Sequence, residues 1–224
     1  MTETAPHPLD ATRASLLAAA LPHIPFDGWS LISLNKAARD LGIEPGAAAM
    51  AFPGGPADLL DLHAREADSR MLAQAESLDI ASMRMRDRIR AVVRARFDAV
   101  AEHREAERRA LGFVALPQNA PQGARMLMRT VDLMWRAAGD ISTDFSFYTK
   151  RATLAGVYSS TMLYWMADSS EDSAETWAFL DRRIEDVMTV EKAKARARAR
   201  LKDTPSLASL LARLRYPGEA RMKP

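Results

Sequence analysis

The residues that carry most enzyme chemistry are sparse in this 224-residue chain, which has no cysteine. None of its four histidines has a carboxylate three residues before it, so the Glu-x-x-His pairs of a carboxylate-bridged di-iron bundle are missing. The His-Glu-x-x-His zinc spacing, the Gly-x-Ser-x-Gly elbow and the P-loop are missing too. A lone serine such as Ser159 or Ser160 is interpreted as a helix-packing residue. The sequence therefore predicts no catalytic residue, no metal site and no cofactor, and a protein that is not an enzyme.

Binding of an apolar ligand has more support than catalysis. Hydrophobic residues make up 48% of the chain, and 12 methionines and 4 tryptophans suit an adaptable apolar cavity, because methionine is flexible and polarizable. Ordinary core packing is the alternative interpretation of the same residues. The candidate ligand-binding residues are Phe113, Leu116, Met126, Met128, Leu133, Met134, Trp135, Leu154, Tyr158, Met162, Trp165, Trp177 and Leu180.

The charge balance and the first residues limit the possible class and location of the protein. Lys and Arg number 31 against 29 Asp and Glu, so global charge is no argument for a nucleic-acid partner. No apolar run reaches the roughly 18 to 20 residues of a transmembrane helix. The N-terminus shows neither a secretory signal nor an Arg-rich transit pattern. We expect a cytoplasmic protein, with a position on a membrane surface as the alternative.

Helical periodicity of the apolar residues runs through the chain, and no strand alternation is apparent. This pattern predicts an all-α fold of about nine or ten helices. One of these helices is expected over residues 83–103. The expected organisation is a disordered tail over 1–8, a helix-turn-helix-like unit over 9–60, a helical bundle over 61–202, and a short amphipathic helix with a tail over 203–224.

Residues 26–60 have the layout of a helix-turn-helix and resemble the N-terminal three-helix unit of TetR-family repressors, with Gly42 at the turn between two short helices. The expected recognition helix, residues 44–52, offers alanines, one methionine and one glutamate instead of the donors and acceptors that a major-groove reader needs. We therefore do not expect DNA as a partner, and a TetR-type ligand-responsive regulator is the alternative hypothesis. The inward residues predicted on the first short helix are Leu31, Leu34, Ala37, Ala38 and Leu41.

Residues 139–166 join a polar, turn-forming head to a long apolar segment. Ser142 or Thr143 can cap the first turn, and Asp144 suits the positive end of the helix dipole. Aromatic residues beyond the head follow helical spacing on more than one face, which predicts a buried central helix.

Several motifs together resemble one known family. They are Pro25-Phe-Asp-Gly-Trp29, Phe52-Pro-x-Gly55, Gly139-Asp-x-Ser-Thr-Asp144 with Phe147-Tyr-Thr-Lys-Arg-Ala-x-Leu-Ala155, and Thr176-Trp-x-Phe-Leu-x-x-Arg183. The chain is similar, over about residues 10–195, to the ubiquinone-biosynthesis accessory lipid-binding proteins of mitochondria and alphaproteobacteria, which have a TetR-like fold. The resemblance implies a non-catalytic protein that binds isoprenoid or phospholipid chains. It also implies a partner, the di-iron hydroxylase that acts on demethoxyubiquinone, to which the quinone intermediate is presented.

The resemblance assigns roles to residues of this chain. The predicted lipid pocket consists of the candidate ligand-binding residues named above, without Met126 and Met134. Residues 139–151 are expected to form an exposed platform for the partner, and residues 152–166 a wall of the pocket. Ser146-Phe147 stands where the family usually has Asn-Trp, so an indole donor is lost. The partner-binding residues implied are Asp140, Ser142, Thr143, Asp144, Phe147, Tyr148 and Arg151.

A basic amphipathic helix is expected near the C-terminus, and such a helix can lie on an anionic membrane surface. The resemblance implies membrane contact, while docking onto a partner or onto the chain's own bundle stays open, as does a homodimer. The four leucines on its apolar face are Leu207, Leu210, Leu211 and Leu214.

Overall fold

α-Helices and short 3-10 turns account for the regular structure of a computed structural model that describes residues 8–140 and 145–202. Its side chains are described for residues 9–140 and 147–189. No strand occurs in these ranges, and the all-α prediction is confirmed. The helices are α1 (Pro8–Ala20), α2 (Ile24–Asp27), α3 (Leu31–Asp40), α4 (Pro45–Ala51), α5 (Pro56–Ser77), α6 (Met85–Asp98), α7 (Arg104–Val114), α8 (Ala120–Ala137), α9 (Phe145–Ala167) and α10 (Ala174–Lys202).

The N-terminal helices α1, α3 and α4 pack around a small apolar core. Leu16, Leu34 and Phe52 are each no more than 2% exposed. Gly42 has a φ of 65° in the turn between α3 and α4, a conformation that favours glycine. The indole of Trp29 donates to a backbone carbonyl of α7 at 3.0 Å, which ties this unit to the bundle. The predicted helix-turn-helix shape is present.

Two residues predicted to face inward on α3 lie outside that core. Leu31 is 58% exposed and Leu41 is 43% exposed. Leu31 begins the ten-residue helix and Leu41 caps its end, so only the middle turns, with Leu34, Ala37 and Ala38, are covered by neighbouring helices. The apolar spacing of a short helix overstates how much of its face is buried.

Helices α5 to α9 form the bundle. α5 packs on α6 and α8, and α8 packs on α9. Phe97 of α6 is 1% exposed and lies edge-on to Tyr158 and Trp165 of α9, with ring centroids 5.5 and 5.3 Å apart. Trp177 of α10 meets the same ring at 5.8 Å. These edge-to-face contacts stabilise the packing of α6 on the C-terminal half of α9.

The single helix predicted over residues 83–103 is wrong. A 3-10 turn and the extended residue Met83 precede α6, and a second 3-10 turn follows it. The guanidinium of Arg88 donates to the carbonyls of Ala81 and Met83, at 2.6 and 2.9 Å. Those side-chain hydrogen bonds satisfy two carbonyls just before α6, so they stabilise its non-helical start.

The chain divides into two compact units, the first ending at Leu180 and the second beginning at Asp181 within α10. The described part of the second unit continues the helix to Lys202, and it includes an ion pair between Arg183 and Asp186 at 2.8 Å. No helix in the described ranges is both long enough and apolar enough to cross a membrane. The predicted membrane-facing residues Leu207, Leu210, Leu211 and Leu214 lie outside the described residues.

Candidate functional site

A cavity of about 330 Å³ lies among helices α5 to α9. Pockets for small molecules span roughly 300 to 1,000 Å³, so this volume suits one slender ligand. Exposed lining residues mark its mouth, and Leu163 there is 62% exposed. Buried lining residues, among them Leu60 and His63, mark its inner end. The cavity therefore leads from the surface into the bundle.

The walls of the cavity are largely apolar. α7 contributes Leu111 and Val114, α8 contributes Met126 and Leu127, and α9 contributes Met162 beside the exposed Leu163. These residues are spaced three or four apart, or adjacent, on their helices, so each helix turns one apolar face to the same space.

Close approach of α7 and α8 depends on a glycine. A Cβ added at Gly123 would lie 2.7 Å from the Cβ of Val114, closer than two side-chain carbons can approach. A glycine at this position therefore lets the two helices meet along one wall of the cavity.

Buried polar residues close the inner end. Nε2 of His63 lies 2.8 Å from Oε1 of Glu107. Nε of Arg96 donates to Oδ1 of Asp68 at 3.1 Å, and the hydroxyl of Thr130 donates to the same oxygen at 2.9 Å. All five residues are no more than 8% exposed. Charges this deeply buried require partners, and here each carboxylate has at least one donor.

The protonation states at the inner end follow from these contacts. Burial favours a raised pKa for Glu107, but the hydrogen bond with His63 and the charge of Arg96 outweigh it and hold the pKa below its ordinary value. Glu107 is therefore ionised at neutral pH, which assigns Nε2 of His63 as the donor in their contact. Burial raises the pKa of Tyr158 to about 12, so the phenol stays neutral.

The structure does not bring the predicted lipid-binding residues together. Tyr158 and Met162 line the cavity, and so does Met126 from the wider candidate set. Phe113 and Leu116 line a separate cleft beside Trp29. The remaining predicted residues are buried in the core (Leu154, Trp165, Leu180), half-buried (Leu133, Trp135, Trp177) or exposed (Met128), and Met134 of the wider set is also in the core.

The predicted platform is only partly exposed. Tyr148 is 70% exposed, but the side chains of Asp140 and Arg151 are 5% and 4% exposed. Arg151 pairs with Asp132 at 2.7 Å and Asp140 at 3.2 Å, and its guanidinium lies 3.4 Å from the ring centroid of Phe147. The expected exposure is therefore wrong for Asp140 and Arg151, because they neutralise each other inside the fold. Ser142, Thr143 and Asp144 lie outside the described residues.

Sequence reasoning missed the polar inner end, although it left a signal. Arg96 follows Ile89, Val92 and Val93 on the apolar face of α6, and Glu107 lies between two buried alanines on α7. A charged residue at an inward position of an amphipathic helix indicates either a buried ion pair or a binding site. No group of three or more His, Asp or Glu side chains that could hold a metal ion occurs within the described part of the chain.

Comparison with known proteins identifies relatives of this chain. Residues 120–191, which include all of α8 and α9, match the family model named COQ9. The mitochondrial ubiquinone biosynthesis protein COQ9 of Rattus norvegicus is 38% identical over 182 residues, covering 78% of this chain and 58% of the rat protein. The human protein of the same name is 36% identical over 182 residues, covering 78% and 57%. The chain is a relative of the COQ9 proteins. The family resemblance predicted from its sequence is confirmed.

The chain spans 58% and 57% of the lengths of these two COQ9 proteins. Among solved structures, a TetR transcriptional regulator from Nitrosomonas europaea matches with a TM-score of 0.64, 24% sequence identity, and coverage of 79% of this chain and 97% of the regulator. This likeness confirms the predicted TetR-like fold. It describes the fold and not the activity.

Proposed function

We propose that this relative of COQ9 is a non-catalytic lipid-binding protein of ubiquinone biosynthesis. It holds an isoprenoid or phospholipid chain in the cavity among α5 to α9 and presents a quinone intermediate to the di-iron hydroxylase that acts on demethoxyubiquinone. The rat and human relatives are named as ubiquinone biosynthesis proteins, which supports the pathway. The cavity supports the ligand class.

The observation that carries the proposal is an apolar cavity that opens at the surface beside Leu163. A hydrocarbon chain exposed to water costs about 0.8 kcal/mol per CH₂ group. Walls built from leucine, methionine and valine side chains remove that cost for the part of the chain they cover. A carrier with such a cavity lowers the barrier to moving a lipid between a bilayer and an enzyme.

The polar residues of the lining support binding more than catalysis. Activation of a serine nucleophile needs a hydrogen bond to a base. Ser159 and His63 both line the cavity, but no hydrogen bond joins them in the described structure, and His63 instead pairs with Glu107. The proposal therefore assigns these side chains to binding.

A TetR-type regulator is the alternative that the fold suggests. Its recognition element would be α4, which here consists of proline, glycine, alanine and methionine residues, with Met50 68% exposed. Lys36 on the preceding helix is paired with Asp27 at 2.6 Å. The surface that would meet DNA thus offers little to recognise phosphates or bases. The fold alone supports this alternative.

The proposal includes two contacts outside the cavity. Tyr148 is 70% exposed near the N-terminal end of α9, and we propose that it contributes to the surface that meets the hydroxylase. The segment with Leu207, Leu210, Leu211 and Leu214 is proposed to touch the membrane.

Lipid content tests the proposal directly. Ala124 lies on α8 among the exposed lining residues, so Ala124→Trp should obstruct the mouth without disturbing the core. We expect extraction and native mass spectrometry to find an isoprenoid or phospholipid with the unaltered protein and to find much less with Ala124→Trp. The thermal midpoint should stay close to that of the unaltered protein.

Arg125→Trp is the matched control, because Arg125 is the next residue, is exposed and does not line the cavity. This variant should keep its lipid. Absence of lipid from the unaltered protein, or equal lipid content in the two tryptophan variants, would count against the proposal.

A further inference from the structure

Two buried nitrogens in the cavity lining have no hydrogen-bond partner among the described residues. They are Nη1 of Arg96 and Nδ1 of His63. Arg96 is 4% exposed and His63 is 1% exposed. Unpaired polar atoms at such depth destabilise a fold, so their presence at the inner end of a cavity indicates where the polar group of a ligand binds.

The two nitrogens indicate what kind of group binds here. A guanidinium nitrogen is always a donor, so Nη1 of Arg96 needs an acceptor. Nε2 of His63 donates to Glu107, which leaves Nδ1 as the ring nitrogen that contacts a ligand. A hydroxyl group is both an acceptor and a donor. The apolar walls between this end and the mouth then contact hydrocarbon.

The surrounding charges disfavour an anionic head group. Arg96 forms an ion pair with Asp68 at 3.1 Å. Arg129 forms ion pairs with Asp61 at 2.6 Å and with Asp68 at 3.3 Å. Glu107 adds a third carboxylate. The two guanidiniums are thus already matched by carboxylates, and a carboxylate or phosphate brought to the inner end would add buried negative charge without a new cation.

We propose that the inner end of the cavity recognises the neutral polar head of an amphipathic lipid, a hydroxyl group in preference to a carboxylate or phosphate, with Nη1 of Arg96 as donor and Nδ1 of His63 as the second polar contact. The head lies inward and the hydrocarbon chain points to the mouth beside Leu163. This inference rests on the proposed lipid-binding function and adds the class and orientation of the ligand.

Farnesol and farnesoic acid test the head-group preference, because they share one hydrocarbon chain and differ at the end. Each is titrated at pH 7.5 against protein loaded with the neutral fluorescent probe N-phenyl-1-naphthylamine. We expect farnesol to displace the probe at an about tenfold lower concentration than the acid. Arg96→Met should weaken the binding of farnesol about three- to tenfold, since one buried hydrogen bond is lost.

Arg96→Lys is the second variant, because it retains the charge that Asp68 requires but removes the planar pair of terminal nitrogens. Arg151→Lys is the matched control. Arg151 is as buried as Arg96 and does not line the cavity, so this variant should keep the preference for the alcohol.

Equal displacement by the alcohol and the acid would overturn the inference, and so would unchanged farnesol binding in both Arg96 variants. The comparison of the two ligands on the unaltered protein decides the question even where the variants do not fold. If the fluorescent probe does not bind and no lipid is extracted, the proposed function itself fails. If the probe binds but the head group makes no difference, only the head-group inference fails.

Discussion

Two arginines of this chain are equally buried but differently surrounded. The side chains of Arg96 and Arg151 are each 4% exposed. Arg151 donates to Asp132 at 2.7 Å and to Asp140 at 3.2 Å, whereas Arg96 donates from Nε to Asp68 and leaves Nη1 without a partner among the described residues. Arg151 stabilises the start of α9, and Arg96 lines a cavity.

The comparison shows that burial of a charge does not define its role, whereas the distribution of its partners does. Arg151 also donates to the carbonyl of Phe147 and lies 3.4 Å from the centroid of that ring. Through these contacts the guanidinium of Arg151 stabilises the fold. Tyr148, next in the chain, is left 70% exposed and remains the described residue of this segment best placed to meet a partner.

The largest expected effect comes from Arg151→Met. Removing one partner of a buried ion cluster costs about 3 to 5 kcal/mol, and here three hydrogen bonds and a ring contact are lost, although Asp132 keeps Arg136 and Asp140 keeps Lys150. Arg96→Met should cost less, about 1 to 3 kcal/mol, since it removes one hydrogen bond and Asp68 keeps its contacts with Thr130 and Arg129. Urea unfolding of the two variants measures both free energies. A larger loss for Arg96→Met than for Arg151→Met would break the comparison.

An intermediate effect is expected where the cavity wall is tight. Gly123→Ala places a Cβ 2.7 Å from Val114, so α7 and α8 must separate and the free energy of unfolding should fall by about 1 to 3 kcal/mol. Gly156→Ala is the matched control, because nothing lies within 4 Å of the added atom and alanine favours a helix by about 0.5 to 1 kcal/mol. The midpoint of thermal unfolding should therefore fall for Gly123→Ala and rise for Gly156→Ala. Shifts in the same direction for both variants would show that α7 and α8 accommodate the added methyl group.

The smallest effect concerns pH on the cavity side. The pKa of Glu107 lies below its ordinary value of 4.5, so its stabilising contribution is complete above that value and is lost as the pH falls through the lower folded-state pKa. Glu107→Gln should cost about 1 kcal/mol at pH 7, the difference between a charged and a neutral hydrogen bond. Urea midpoints measured from pH 7 to pH 3 should converge for the two proteins. A difference that stays constant over this range would show that Glu107 is not ionised.

Local sequence patterns predicted much of the fold. Apolar residues at helical spacing predict helices over about 58–77, 104–115, 121–138 and 174–202, close to the observed bounds of α5, α7, α8 and α10. The helix predicted over residues 83–103 is too long at both ends, because Arg88 binds the carbonyls of Ala81 and Met83 in a turn before α6, and a 3-10 turn over Ala101–His103 follows it. Cap and turn contacts of this kind join residues whose hydrophobic pattern is unremarkable.

The cavity was harder to predict than the helices. Periodicity tells which side of a helix is apolar, but a core residue such as Trp165 and a cavity residue such as Met162 satisfy the same pattern. Whether space remains between two helices depends on distances between segments far apart in the chain. The approach of α7 to α8 at Gly123 is one such distance.

Local spacing and motifs in linear order were enough to predict the all-α architecture, the helix-turn-helix shape of the N-terminal unit and the relationship to the COQ9 proteins. The burial of Arg151 and the meeting of Arg96, His63 and Glu107 at the end of one cavity depend on contacts between helices that are far apart in the chain. A charge is assigned to the fold or to a ligand by its partners, and those partners come from other helices.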